Sequence, residues 1–261
     1  MRPRAAANQI TKVLRAALPP DRWFPVDPLA IAREFGVQVH EDDLGDGIEG
    51  AMLSSGKKSA IVINSRIRES GRRSFTAAHE LGHYSLHRDR PELRCSFDDL
   101  LDTAPHPVNI EQEANEFAMT LLMPMDDIRE QSGIGVPTIS MVKRLAARYG
   151  TSLTAAALRL RESSAKSFAL AYVVSGQVRW WWPTNEFRWR MKRGQAWPHS
   201  LTPSDDATSC DTEALFGVEA KARLGGVLRI SGADMPSYDA GLWVVETPDN
   251  RRPWEWDKID E

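Results

Sequence analysis

The chain has 261 residues, enough to bury a sizeable core and more than one domain usually needs, so a principal domain plus a smaller one is expected. Charged residues make up 26% and the formal net charge is -3, which excludes a whole-chain basic field for nucleic acid and confines any such contact to a local patch. Cys95 and Cys210 stand far apart, in no CxxC or Cys/His spacing, so neither a disulfide framework nor a thiolate zinc site is suggested, and a reducing cytoplasm suits the chain.

The opening "MRPRAAANQITKVLRAALPP" is basic and Ala-rich, without the apolar run of a signal peptide. Its Ile10, Val13, Leu14 and Leu18 fall at helical spacing, which predicts an amphipathic surface helix. No apolar run reaches about 18 residues, so no segment qualifies to span a membrane and a soluble, cytoplasmic protein is expected. "PLAIAREFG" predicts a short helix stopped by Gly36, and "VQVH" a short strand. "EGAML" and "SAIVINS", joined by "SSGKK", predict a hairpin.

From Arg72 the pattern turns helical through "FTAAHELGHYSLH"; "RDRPELRCSFDDLLDTAPHPVN" reads as a polar loop, and "IEQEANEFAMTLLM" as a second helix ending before Pro124. "ISMVKRLAARYG" and "SLTAAALRLRESS" predict two more helices that meet at Gly150. "FALAYVV", "SG" and "QVRWWW" predict a second hairpin that opens a β-containing module. The expectation is a two-part α+β protein: residues 1–164, including a helix-turn-helix-like segment at about 136–162, then a smaller domain at 165–261 with sensing or partner-binding duty.

The chemistry centres on "HELGH". On a helix, residues four apart differ by about 40° in azimuth and about 6 Å in height, so His79 and His83 can aim both imidazoles at one ion. Glu80 then lies beside that ion rather than on it, placed to take a proton from water. This is the HExxH pattern, in which zinc acidifies its water, polarises the scissile carbonyl, and the glutamate serves as general base. A pair of core histidines fits the same spacing, while Gly82 allows close backbone approach and Phe75, Ala78, Leu81 and Leu86 supply packing faces.

A catalytic zinc takes three protein ligands and keeps one position open. His87 is about 12 Å along the axis from His79, too far to share its ion, and the HExxHxxGxxH alternative fails because Leu86 and Asp89 occupy its glycine and third-histidine positions. The second helix offers Asn109 as N-cap with Gln112 three later, and a buried stripe of Ile110, Ala114, Phe117, Ala118 and Leu121. Glu111 and Glu113 flank that stripe and Glu116 points away, which leaves two candidates. Asn115, one turn after Glu111, favours Glu111 because its amide can orient a ligating histidine; for Glu113 and Glu116 a solvated helix face is the expected role.

"RRSFTAAHELGHYSLH", "EQEANEFAMTLLMP" and the upstream "AIVIN" closely resemble the ImmA/IrrE family of metallo-endopeptidases, over about Pro25 to Glu162. The resemblance implies a zincin-like peptidase domain with a short sheet packed on helices, His79, His83 and Glu111 as metal ligands, and Glu80 as the catalytic carboxylate. Zinc is the implied metal, with manganese or iron also compatible with such ligands. The implied partner is an XRE-type helix-turn-helix repressor, cut to release stress-response or mobile-element genes. The strand "SAIVINS" is expected either to serve as an edge that pairs with an extended peptide or to be a purely structural hairpin strand.

Other readings compete. Ala146 and Gly150 stand at helix-turn-helix spacing with Lys143, Arg144, Arg148, Arg159 and Arg161 nearby, but the second helix is mostly Leu and Ala, so a packing corner is expected ahead of direct DNA binding. Eight of the nine tryptophans follow residue 179, with Trp180 and Trp182 on one strand face and Trp181 on the other. Core packing is their expected role and a binding surface the alternative. Cys95 is expected to be an inert thiol rather than a zinc cap, and His40, His106 and Tyr149 are open candidates for oxyanion stabilisation. The enzyme reading has one rival from another class, a metal-binding regulatory protein that sequesters a repressor without cutting it.

Overall fold

The computed structural model describes residues 2–55, 58–90, 92–96, 110–133, 135, 137–187, 189–217 and 226–247. These form a mixed α+β protein with two sheets, and the chain divides into two compact units: Met1–Asp127 with Ala146–Ser152, and Ile128–Leu145 with Leu153–Glu261. Among the described residues no helix is long and apolar enough to cross a membrane.

The first unit opens on α1 (Pro3–Ala17) and α2 (Pro28–Glu34), the latter capped by Asp27, whose carboxylate accepts from the Leu29 and Ala30 amides. The sheet follows, with β1 (Gln38–Asp42), β2 (Ile48–Ser55) and β3 (Lys58–Asn64). The predicted hairpin is present, β2 and β3 pairing antiparallel from Gly50↔Ile63 to Ser55↔Lys58. β1 adds to β3 in parallel, so β3 lies inside the sheet, in the order β1-β3-β2-β4 with β4 at Glu92–Ser96. "SAIVINS" is therefore not an edge strand but a structural one, with both its edges taken. Asn64 explains the end of "AIVIN": its buried amide donates to the Gly45 and Ile48 carbonyls and so fixes the turn into β2.

Two expectations need correction here. The supposed polar loop after the first motif helix contains β4 (Glu92–Ser96), antiparallel to β2 at the sheet edge. Exposed Glu92 and Arg94 alternate with half-buried Leu93 and buried Cys95, a period of two too short and too charged to stand out in sequence. The buried face of α1 is Pro3, Ala6, Ala7 and Thr11, while Val13 is 63% exposed. Small residues win there because α1 packs closely on the second motif helix, α4 (Ile110–Leu122).

The motif helices are α3 (Ser70–His87) and α4 (Ile110–Leu122). α3 packs on β2, β3 and α4, and Ala78, Leu81, Ala114, Phe117, Ala118 and Leu121 are fully buried. Each large apolar side chain so buried contributes about 1.5–3 kcal/mol. Asn109 and His106 lie outside the described residues.

After α5 (Met125–Ser132) come α6 (Ile139–Tyr149) and α7 (Leu153–Ser163), separated at Gly150 with φ +61°. The basic residues of this corner are engaged within the chain: Lys143 with Asp205, Arg144 with the Gln131 carbonyl, Arg148 with Asp127, Arg159 with Glu162 and Arg161 with the Pro183 carbonyl.

The second unit carries an antiparallel sheet in the order β6-β5-β9-β8-β7, built from β5 (Phe168–Val174), β6 (Gln177–Pro183), β7 (Thr208–Asp211), β8 (Val227–Met235) and β9 (Ala240–Glu246), with a short α8 (Thr212–Phe216). Ser175 and Gly176, at φ 48° and 73°, make the tight β5–β6 turn that "SG" predicts. Trp180 and Trp182 stack at 5.6 Å, whereas Trp181 packs with Phe187 and Phe216 beside the core of this unit. Trp254 and Trp256 lie outside the described residues.

Candidate metal centre

One turn of α3 separates His79 from His83, and both are fully buried, with their Nε2 atoms 2.9 Å apart. In the first turn of α4, Glu111 brings Oε2 to 3.1 Å from His79 Nε2 and 3.2 Å from His83 Nε2. Gly82 permits this helix approach, because a Cβ there would lie 3.2 Å from the Ala114 backbone and 3.1 Å from the Phe117 ring.

Hydrogen bonds on the far side of each ring determine which nitrogen faces inward. His79 Nδ1 lies 2.9 Å from Asn115 Oδ1, an acceptor, so Nδ1 carries the hydrogen and Nε2 turns a lone pair to the centre. For His83 the partner is His87: their Nδ1 atoms are 3.3 Å apart, and His87 Nε2 lies 2.7 Å from Glu113 Oε2. If the carboxylate accepts from His87 Nε2, then His87 Nδ1 accepts from His83 Nδ1, and His83 Nε2 is again a lone pair. His87 thus lies behind the cluster, and Glu113 is no mere solvated helix face. The i, i+4 spacing of His83 and His87 was the available signal; Glu113 had none.

Two lone pairs and a carboxylate facing one another repel unless a positive charge sits among them, as a proton on an imidazole or as a cation. Burial alone would raise Glu111, yet its hydrogen bonds with His79 and His83 outweigh it and hold the carboxyl well below its usual range. The Cys95 thiol joins this group, with Sγ 3.2 Å from His79 Nε2 and 3.3 Å from His83 Nε2. Nε2 of both histidines, Sγ of Cys95 and a Glu111 oxygen all lie within 4.8 Å of one another. Such a mixed N, O, S set fits a divalent transition metal.

Glu80 is fully buried beside this cluster, and neither of its oxygens has a hydrogen-bond partner among the described residues. Burial pushes its carboxyl well above the usual range, with the Cys95 thiol offsetting part of the rise and the negative Glu111 adding to it. β2 passes close by: a Cβ at Gly50 would come within 2.7 Å of Glu80 Oε1. At the start of α3, Arg72 Nε donates to Glu49 Oε2 at 2.8 Å and ties that helix to β2.

The other candidates lie elsewhere. Glu116 pairs with Arg4 at 2.5 Å. Tyr149 donates to Asp127 at 2.5 Å in a separate buried group, where burial pushes its hydroxyl up, and His40 is an exposed residue of β1.

Among solved structures, a Mycobacterium tuberculosis transcriptional regulator aligns over 94% of this chain and 76% of its own, at 13% identity and a TM-score of 0.49. No protein of curated function matches. Residues 32–161, which hold both motif helices and the whole cluster, match the family model of the IrrE N-terminal-like domain, a peptidase family. Through this segment the chain belongs to the ImmA/IrrE family of peptidases.

Proposed function

We propose that the chain is a zinc-dependent endopeptidase that cuts a partner XRE-type helix-turn-helix repressor, with His79, His83 and Glu111 as metal ligands and Glu80 as general base. Manganese or iron would suit the same ligands. The observation that carries this reading is the convergence of two imidazole nitrogens and a carboxylate beside a buried glutamate whose oxygens have no hydrogen-bond partner among the described residues. A structural histidine pair would have its polar atoms satisfied instead.

A divalent ion held there supplies a Lewis acid for the scissile carbonyl and acidifies water. The chain's own groups do the rest. Asn115 fixes the His79 ring, and His87 with Glu113 fixes that of His83. Glu80, made more basic by burial, takes a proton from the attacking water and returns it to the leaving amine nitrogen. Residues 1–164 would carry this chemistry, and 165–261 would sense a signal or hold the partner. The stacked, half-buried Trp180 and Trp182 on edge strand β6 offer such a surface.

The test is intact-mass spectrometry of the XRE-type repressor encoded nearest this gene, incubated with zinc-loaded wild type and with Glu80→Gln. One new pair of fragments with wild type alone is expected. Equal regulation by both proteins without fragments would replace cleavage by sequestration.

A further inference from the structure

β4 lies along the edge of β2, and its register sets Cys95 opposite Gly50. Gly50 is also where β2 comes nearest Glu80, since a Cβ there would meet Oε1 at 2.7 Å. Strand pairing therefore delivers the thiol to the cluster: Cys95 is fully buried, with Sγ 3.2 Å and 3.3 Å from two imidazole nitrogens. A cysteine that merely fills space faces apolar neighbours. This one faces the Nε2 atoms of two imidazoles and the Glu111 carboxylate, all atoms of the kind that bind a transition metal.

The four donor atoms, mutually within 4.8 Å, match in number and type the ligands of a closed four-coordinate transition-metal site. A peptidase of this type needs three protein donors and a free fourth position for water and substrate. It also needs an accessible strand edge to hold an extended peptide beside the motif helix. On the side of β2 away from β3, that edge is taken by the chain's own β4.

We infer that Cys95 is a fourth metal ligand and that β4, paired with β2, holds the site in a latent form, filling both the open coordination position and the strand edge a substrate would use. This rests on the metallopeptidase reading above. As the metal binds, the thiol releases its proton to solvent and a sulfur–metal bond forms. Activation reverses this: the bond breaks, the thiolate regains a proton from water, and β4 parts from β2 to make way for an extended peptide.

The experiment loads the full-length protein with Co(II) and records its absorption spectrum, the alkylation of each cysteine by iodoacetamide, and cleavage of the repressor. Wild type should show a thiolate-to-cobalt charge-transfer band, and in mild denaturant, which opens the two buried thiols to the reagent, metal should slow alkylation of Cys95 while leaving that of Cys210, in the other unit, unaffected. Alkylation is read on wild type and so does not depend on any variant folding. Cys95→Ser should lose the band, keep visible cobalt bands from the remaining ligands, and cleave about tenfold faster or more if the open form is a minor species. Cobalt bound by wild type without a sulfur band or thiol protection overturns the inference and leaves the three-ligand site standing. A band with no faster cleavage by Cys95→Ser overturns the latency. Absence of cobalt binding in both proteins defeats the metal-site reading itself.

Discussion

The first unit contains two buried polar groups that look alike in composition and differ in what they leave unsatisfied. Around Asp127, Tyr149 donates to one carboxylate oxygen at 2.5 Å and Arg148 donates to both at 2.9 Å. Donors and acceptors balance, and the group closes on itself as a structural joint. Around His79 and His83, two imidazole nitrogens, a Glu111 oxygen and the Cys95 sulfur crowd together, and neither oxygen of the neighbouring Glu80 has a hydrogen-bond partner among the described residues. The difference teaches that burial of charge does not by itself identify a functional site; a crowd of ligand-type atoms marks a candidate, because a proton or an added cation must complete it.

Removing one of the proposed ligands should break this comparison most strongly. His83→Ala is expected to lower affinity for zinc or cobalt by more than the tenfold to hundredfold, roughly, that supporting partners carry. Calorimetric titration would show it, and an unchanged affinity would make the cluster a second structural joint. Asp127→Ala should do the opposite, costing about 3 kcal/mol of stability by orphaning a buried hydroxyl and a guanidinium, with metal affinity intact. Denaturant melts and metal titration on the same sample check both halves. Asn115→Ala comes next, with an expected loss of about tenfold to a hundredfold in metal affinity and a cost of about 1–3 kcal/mol in the metal-free protein, because the buried His79 Nδ1–H loses its acceptor.

How far these groups were legible in sequence follows from their spacing. His79, Glu80 and His83 sit on one helix, so the i, i+4 geometry exposes them, and Asn115 separated Glu111 from Glu113 by the same reasoning. Cys95 reaches the cluster through strand pairing across more than forty residues, roughly, and no local period announces which strand residue will face a given helix. The contact between His87 and Glu113 was hidden for a related reason, since it depends on the distance between α3 and α4, which Gly82 sets. The inward face of α1 was misjudged because close packing on α4 favours alanine over the larger Val13. The second hairpin was plain because "SG" between two apolar runs requires a tight turn.

The smallest expected effect extends the comparison to the second unit. Glu246, at the end of β9, is mostly buried, its Oε2 has no hydrogen-bond partner among the described residues, and burial pushes its carboxyl up to about 7 despite the opposing charges of Arg229 and Lys166. Because the raised value favours the protonated form, the folded state holds more protons than the unfolded chain between the ordinary carboxyl range and about 7. Stability should therefore fall as pH rises across that window. Glu246→Gln is expected to flatten this slope and gain about 1–2 kcal/mol at pH values above it. Thermal melts across the window provide the check, and parallel slopes for the two proteins would count against the assignment. A lone buried acid in the second unit then behaves as neither joint nor metal centre but as a titrating liability.

Gly50 carries a lesson for anyone transplanting this chemistry. The clearance between strand and helix is so small that a single methyl group on β2 would collide with Glu80 Oε1. A designer who grafted the five-residue HELGH segment onto another sheet would reproduce every letter of the motif and still displace its carboxylate unless the facing strand also brought a glycine. The smallest portable unit of this site is a helix together with its facing strand.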